Sequence, residues 1–269
     1  MTAISNRQDT VAEPLFSCRK ACVEIDGKRL LSIDDLDFSP GQVTGLIGHN
    51  GSGKSTLLKL LAGQMEATAG EVLYSGKPVL TWERRELARS IAYLAQDPPP
   101  TRGLLVRELV ALGRYPWHGA FGRFSETDEA KTEEALQLTD MSHLADRLVD
   151  TLSGGERQRA WIAMMVAQDA GCLLLDEPIS ALDIAHQVEV LDLLKNLSHS
   201  RGLAVIVVLH DINMAARFCD RLIALKNGEC VANAEPEGLL NAQVLKSVFG
   251  IAMNVVPHPS GQGVLAYVD

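Results

Sequence analysis

The sequence predicts an α/β fold: a mainly parallel sheet with a small antiparallel β-subdomain and an inserted helical subdomain. Short apolar runs alternate with amphipathic helical stretches along the chain, which is the order expected of a parallel sheet. Two segments in the N-terminal third carry β-like runs broken by turn signals. A middle block contains no convincing strand.

Four short apolar runs are bounded by turn signals, as expected for strands that are buried on both faces. They are Val43–Ile47, 91–95, Cys172–Leu175 and 203–209. A helical stretch at 184–198 lies between the last two, and its apolar residues, beginning with Ile184, recur every three or four positions. This succession of strand, helix and strand predicts parallel neighbours in one sheet.

The two subdomains account for most of the remaining chain. Residues 14–40 and 70–80 are expected to pair as antiparallel strands, because Asp-Gly and Ser-Gly turn signals interrupt them. Residues 98–160 are expected to form the helical subdomain. The first 13 residues are polar and are expected to form a flexible N-terminal segment before a single domain at 14–269.

Composition excludes several classes of protein. The chain has 34 acidic and 25 basic side chains and a net charge of −9, so it lacks the basic surface that nucleic-acid binding requires. Its longest apolar run is far below the roughly 20 residues that span a bilayer. No secretory signal is recognisable, and the five scattered cysteines are expected to be reduced. We therefore expect a cytosolic protein without membrane spans.

A glycine-rich loop directly follows the strand Val43–Ile47. Its residues are Gly48, His49, Asn50, Gly51, Ser52, Gly53, Lys54, Ser55 and Thr56. The glycines allow successive backbone N–H groups to face phosphates, and the following helix adds the positive end of its dipole. This strand–loop–helix pattern predicts a P-loop NTPase (RecA-like) core that binds ATP. Lys54 is expected to reach the β and γ phosphates, and Ser55 to coordinate Mg²⁺.

An acidic pair ends the strand Cys172–Leu175. The carboxyl end of a parallel strand opens into the crevice where α/β proteins bind ligands, so both carboxylates should lie there. Asp176 is the expected Mg²⁺ partner. Glu177, which the metal does not need, is the expected general base that polarises the attacking water.

A second glycine-rich helix start lies about 100 residues after the first, with Ser153, Gly154 and Gly155 at its N-terminal end. Together with Lys54 and the acidic pair, the octet 152–159 closely resembles the signature of ATP-binding cassette (ABC) proteins. The resemblance extends from about residue 14 to the C-terminus. It implies a homodimer in which this cap of one chain faces the ATP that is held on the Lys54 loop of the other.

The resemblance assigns further residues. Gln96 resembles the glutamine that joins the metal site to the helical subdomain, and His210 resembles the switch histidine that contacts the γ-phosphate. The loop 180–183 resembles the segment that crosses to the partner. Two positions depart from the family: Ile25 replaces the aromatic residue that stacks on adenine, and Ile179 replaces a threonine. They imply weaker base stacking and a tuned, but not abolished, hydrolysis.

Residues 106–119, 183–187 and 210–217 resemble ATPase subunits of bacterial iron-siderophore and vitamin B12 importers, with the closest match to the ferric-hydroxamate importer. This resemblance implies a peripheral subunit on the cytoplasmic face of the inner membrane. Its expected partners are permease subunits and, indirectly, a periplasmic siderophore-binding protein. A haem or vitamin B12 importer, or a soluble ABC ATPase without a transport role, stays open. Trp117 is expected either in the helical core or on a docking surface.

Overall fold

The computed structural model describes residues 13–259 and 263–269, so the predicted N-terminal segment lies outside the described residues except for residue 13. Within these residues the chain forms a ten-stranded sheet and a separate two-stranded antiparallel sheet. The strands are β1 (Phe16–Ile25), β2 (Lys28–Phe38), β3 (Val43–Ile47), β4 (Ala69–Tyr74), β5 (Lys77–Pro78), β6 (Ile91–Leu94), β7 (Cys172–Leu175), β8 (Ala204–Val208), β9 (Arg221–Lys226), β10 (Glu229–Ala234), β11 (Asn254–Pro257) and β12 (Val264–Tyr267).

The helices cover the two faces of the sheet and fill the middle of the sequence. They are α1 (Lys54–Leu61), α2 (Arg84–Ser90), α3 (Val106–Leu112), α4 (Tyr115–His118), α5 (Glu126–Leu138), α6 (Gly154–Ala167), α7 (Ile184–Arg201), α8 (Ile212–Phe218), α9 (Pro236–Leu239) and α10 (Ala242–Phe249). Across 13–259 and 263–269, no helix combines the length and the apolar character that a membrane span needs.

The large sheet has a parallel half and an antiparallel half, in the order β5-β4-β1-β2-β10-β9-β3-β8-β7-β6. The predicted α/β class with antiparallel strands beside the parallel ones is confirmed. The two halves are continuous because β10 pairs antiparallel with β9 and makes one parallel bridge, Glu229 to Ser32, with β2. Strands β6, β7, β8 and β3 run parallel, so their carboxyl ends meet at one edge.

The sheet separates two apolar layers. In β7, Leu173 and Leu175 pack on the side of the helical block, whereas Leu174 packs on the side of α1. This alternation follows from the two-residue period of a strand, and it explains why β7 is apolar throughout. The helix predicted at 184–198 is α7, but Ile184 is 72% exposed, so the buried face begins later than predicted. At the first turn of a helix, side chains project beyond the layer on which the helix packs.

A buried ion pair holds α4 and α5 together within the middle block. Arg114 Nε donates to Asp128 Oδ1 over 2.9 Å, and Arg114 Nη1 donates to the carbonyl of Ala167 on α6. Burial alone would raise the pKa of the Asp128 carboxyl. Hydrogen bonds from the N-cap Ser125 and from Arg114 outweigh burial and lower the pKa. The ion pair therefore ties three helices of the block to one guanidinium.

Replacing one partner of this pair should be costly. Arg114→Met leaves the Asp128 carboxylate buried without its cation, and we expect a loss of about 3 kcal/mol or more in the free energy of unfolding. The shift of the urea midpoint, followed by circular dichroism, measures it. Arg107→Met is the matched control, because Arg107 pairs with Asp146 at the surface and its loss should leave the midpoint unchanged. Equal midpoints for the two variants would contradict the assigned role of the Arg114 pair.

Candidate functional site

The loop between β3 and α1 requires glycine at two of its positions. Gly48 has φ of 143°, and a Cβ placed on it would lie 2.2 Å from the carbonyl oxygen of Leu225. Gly53, the N-cap of α1, has φ of 103°. Glycine is therefore required at both positions by backbone conformation, and at Gly48 by close approach as well.

A hairpin turn that the sequence-based prediction did not include supports this loop. Asn227 and Gly228 connect β9 to β10 with positive φ at both residues, which is the backbone of a tight β-hairpin turn. Gly228 N–H donates to the carbonyl of Ser52 over 3.0 Å. The Asn-Gly pair between two apolar runs was the available signal for this turn.

Lys54 lies inside the curl of the loop. It is 5% exposed, and its ammonium group donates to the carbonyls of Gly48, over 2.8 Å, and His49, over 3.0 Å. Burial lowers the pKa of Lys54, while the nearby carboxylates of Glu177 and Asp176 raise it. The first turn of α1 thus places a cation against two backbone carbonyls of the loop.

The carboxyl end of β7 brings Asp176 to the same helix start. Ser55 Oγ donates to Asp176 Oδ1 over 3.0 Å, and the carboxyl group is nearly fully buried. Burial raises the pKa of Asp176, and the hydrogen bond from Ser55 opposes this change. A hydroxyl and a carboxylate, both oxygen ligands of the kind that Mg²⁺ prefers, therefore stand side by side.

Three strand ends meet at Glu177. Gln96, after β6, donates from Nε2 to Glu177 Oε2 over 3.0 Å, and His210, after β8, places Nε2 2.7 Å from Glu177 Oε1. Glu177 itself has φ of 52°, a conformation that is uncommon for residues other than glycine. The three residues predicted to be catalytic are thus brought together, and the carboxylate is held at both oxygens in a strained backbone position.

Of the residues described above, Lys54, Ser55, Gln96 and Glu177 border a cavity of about 650 Å³. It is lined by Lys28, Arg29, Leu30, Asn50, Gly51, Ser52, Gly53, Lys54, Ser55, Thr56, Gln96, Glu177 and Asn227. Ser52 Oγ is buried and has no hydrogen-bond partner among the described residues, so this loop retains an unused donor. Lys28, Arg29 and Asn227 were not predicted, and no residue that lines the cavity is aromatic.

The second predicted phosphate-facing element lies elsewhere in the chain. Ser153 caps α6 by accepting a hydrogen bond from the N–H of Glu156, whose side chain accepts one from the N–H of Ser153 in return. Those bonds lower the pKa of Glu156. Neither Ser153 nor the following residues Gly154 and Gly155 line the cavity. A single chain therefore does not bring this cap to its own Lys54 loop.

Comparison with protein families identifies the fold and its class. The model of the family described as "ABC transporter" matches residues 31–180. The chain belongs to the ABC transporter family. The resemblance stated from the sequence is thereby confirmed, and membership makes this chain a nucleotide-binding ATPase whose hydrolysis drives transport.

Curated relatives in this ABC family share much of the sequence. The achromobactin transport ATP-binding protein of Dickeya dadantii is 44% identical over 84% of this chain and 85% of its own. The iron(3+)-hydroxamate import ATP-binding protein of Bacillus subtilis is 42% identical over 87% of each chain. The hemin import ATP-binding protein of Bordetella avium is 40% identical over 90% of this chain and 95% of its own.

Solved ABC structures share the architecture. An inward-facing metal-chelate type ABC transporter superposes with a TM-score of 0.82 at 26% identity, covering 94% of this chain and 96% of the other. A bacterial ABC transporter cassette solved as a dimer gives a TM-score of 0.70 at 28% identity, covering 82% of this chain and 98% of the other.

The helical block presents aromatic side chains to solvent. Tyr115, Phe121 and Phe124 are exposed, and Trp117 is 36% exposed; we call these four residues the aromatic surface. Trp117 is also anchored, because its Nε1 donates to the carbonyl of Gln168 over 2.7 Å. Trp117 therefore combines the two placements that the sequence left open. Its indole N–H is bonded to the fold, and about a third of the residue is exposed to solvent.

The missing aromatic ring at the nucleotide cavity leads to a prediction. Ile25 pairs with the cavity residue Lys28 across the β1–β2 turn and is 47% exposed. Ile25→Tyr supplies a ring for base stacking and should tighten ATP binding about fivefold. Displacement of a fluorescent nucleotide measures the affinity. Ile251→Tyr, at a comparably exposed isoleucine outside the cavity lining, is the control. Unchanged affinity of Ile25→Tyr would show that the base binds elsewhere.

Proposed function

We propose that this chain is the ATP-hydrolysing subunit of an importer that carries ferric siderophores, of hydroxamate type, across the bacterial inner membrane. The observation that carries the hydrolytic part is the meeting of Glu177, Gln96 and His210 beside the Lys54 loop. The cargo is inferred from relatives named for achromobactin and iron(3+)-hydroxamate transport.

The geometry supports the following division of labour. Backbone N–H groups of the loop 48–56 and the Lys54 ammonium bind the phosphates of ATP, with the free hydroxyl of Ser52 as a further donor. Glu177 accepts a proton from a water that attacks the γ-phosphorus, and the bond to the bridging oxygen of ADP breaks. Gln96 and His210 orient the Glu177 carboxylate, because each contacts one of its oxygens.

The residues around Ser55 fit a magnesium ion. Ser55 and Asp176 offer adjacent oxygens, and the amide oxygen of Gln96 is not engaged in its bond to Glu177. Within the described ranges no group of three His, Cys, Asp or Glu side chains could form a protein-only metal cage. Mg²⁺ does not need such a cage, because it is usually held by one or two side chains together with the phosphates of the substrate. When bound, Mg²⁺ neutralises charge on the β and γ phosphates.

A complete site takes two chains. The cap at Ser153, Gly154 and Gly155 is a ready anion-binding helix start, yet it does not reach the cavity of its own chain. In a homodimer it faces the ATP on the partner's loop, which makes a sandwich of two nucleotides. The dimeric cassette with a TM-score of 0.70 supports this arrangement.

The aromatic surface is the proposed contact with the membrane permease. Arg85 donates to the carbonyls of Pro116 and Trp117, and the Arg89 guanidinium lies 4.9 Å from the centre of the Trp117 ring. Both arginines belong to α2, which directly precedes β6 and Gln96. The aromatic surface is therefore attached to the strand that ends at the catalytic carboxylate. We therefore propose that the chain lies peripherally on the cytoplasmic face of the inner membrane.

We assign cargo selection to the permease and to a periplasmic siderophore-binding protein, because the cavity beside the Lys54 loop is the proposed ATP site. The hemin import relative keeps haem as the alternative cargo. The nucleotide site would serve a vitamin B12 importer, or an ABC ATPase without a transport role, equally well. These functions are separated by measuring whether a deletion strain that regains this protein takes up ferric siderophores, haem, vitamin B12 or none of them.

The proposed general base leads to a direct test. Glu177→Gln removes the proton acceptor but keeps a side chain of the same size, so ATP binding should persist while turnover falls about 100-fold or more. Phosphate release by the purified protein, together with nucleotide affinity, measures both quantities. Asp150→Asn, at a carboxylate that bonds the Gly103 N–H in the helical block, is the control. Near-normal turnover of Glu177→Gln would exclude this role.

A second test concerns transport. In a strain that lacks the protein, the intact chain should restore uptake of labelled ferric hydroxamates. Phe121→Glu should keep the ATPase rate of the purified protein but lose uptake, because a charge interrupts the aromatic surface without disturbing buried packing. Phe121 is better suited than Trp117, whose indole is bonded to Gln168.

Ile251→Glu, at another exposed apolar residue, is the control for added surface charge. Restored uptake of haem or vitamin B12 alone would replace the siderophore as the proposed cargo. Full uptake by Phe121→Glu would place the permease contact elsewhere.

A further inference from the structure

The first turns of α6 and α7 lie against each other, although their caps are 30 residues apart in sequence. A Cβ placed on Gly155 would lie 2.2 Å from Cδ2 and 2.7 Å from Cγ of His186. The imidazole ring therefore occupies the space that any larger side chain at 155 would need. With the ring in this position, residue 155 must be glycine, whether or not the α6 cap also binds a phosphate.

The ring of His186 is held by the cap of its own helix. Asp183 Oδ1 accepts from the backbone N–H of His186 over 3.0 Å and lies 2.8 Å from its Nδ1. A carboxylate can only accept, so Nδ1 carries the proton in this contact. Bonds from His186 lower the pKa of the Asp183 carboxyl, as expected for a carboxylate that accepts two hydrogen bonds.

Further contacts join α6 to α7 and to the loop before it, in addition to the His186 ring. Leu182, before the Asp183 cap, comes within 3.4 Å of a Cβ placed on Gly154. Farther along the two helices, Arg159 and Glu189 form an ion pair. The loop 180–183 is also bonded to the backbone of Glu177, because Ser180 Oγ donates to the carbonyl of Glu177 over 3.1 Å. The α6 cap is thereby joined to the loop that leaves β7.

We propose that His186 is a positioning residue that fixes the α6 cap relative to the Asp183 loop, so that both elements reach the nucleotide on the partner chain together. The proposal rests on the two-chain site proposed above. His186 contacts neither the cavity of its own chain nor its Lys54 loop, so its effect should appear in dimer closure and not in nucleotide binding by one chain.

The test uses the full-length chain carrying Glu177→Gln, which should bind ATP without consuming it. Sedimentation with saturating Mg-ATP gives the dissociation constant of the dimer, and fluorescent-nucleotide displacement gives the affinity of one chain for ATP. Adding His186→Ala should weaken the dimer roughly tenfold and leave the single-chain affinity unchanged. If that variant fails to fold, His186→Asn takes its place with the same expectation.

His199→Ala is the matched control. His199 lies on the same helix and also pairs with an aspartate, Asp220 at 3.0 Å, but it belongs to the last turn of α7. This variant should leave both constants unchanged. An unchanged dimer with His186→Ala, equal losses for the two histidines, or a parallel loss of single-chain affinity would each overturn the positioning role.

Gly155→Ala provides an independent readout. Its methyl group collides with the ring, so it should weaken the dimer much more when His186 is present than in the His186→Ala background. Equal penalties in both backgrounds would refute the contact. A Glu177→Gln parent that does not dimerise with Mg-ATP would refute the two-chain site and this proposal with it. Failure of His186→Ala alone to weaken the dimer leaves the two-chain site standing.

Discussion

The arrangement of the site follows from the need to stabilise one buried ammonium group. An ammonium taken out of water must regain hydrogen bonds and opposite charge, or its pKa falls and the charge is lost. Lys54 regains them from the carbonyls of Gly48 and His49 and from the nearby carboxylates of Asp176 and Glu177. The loop must therefore curl tightly, and β7 must end next to it. The glycine at 48 and the strand order β3-β8-β7 both serve this requirement.

The two carboxylates have different hydrogen-bond partners although they are adjacent in sequence. Asp176 is buried against the start of α1 and has a hydroxyl donor, which suits a group that shares charge with a metal. Glu177 turns the other way through its positive φ and receives its contacts from Gln96 and His210, which follow two different strands. A change of backbone conformation at one residue thus separates the proposed metal ligand from the proposed general base.

The helical block is connected to the strand that precedes Gln96 by polar and cation–π contacts. Trp117 lies between the guanidiniums of Arg89 on α2 and Arg114 of the buried ion pair. Gln168, at the end of α6, accepts from the indole and donates to the carbonyls of Ala88 and Ile91. The aromatic surface, the C-terminal end of α6 and the strand before Gln96 are consequently linked through Trp117 and Gln168. In the proposed importer, a displacement of the block at the permease would therefore be passed to the strand that precedes Gln96.

The sequence by itself determined the parts of the protein that depend on local pattern. Apolar runs followed by glycine, lysine and serine, or by two acidic residues, are short-range signals. They can be recognised from neighbouring residues alone, because each depends on local periodicity and on residue types at fixed spacing. The α/β class, the Lys54 loop and the acidic pair were therefore predictable. The assignments of Gln96 and His210 came from family resemblance, and only the tertiary structure shows both side chains at the two oxygens of Glu177. It also decided that the Asn227–Gly228 turn supports the loop, that Ile184 faces solvent, and that His186 fills the space beside Gly155. These contacts join residues from 31 to 176 positions apart, and such pairing depends on strand order and helix packing, which no local pattern encodes.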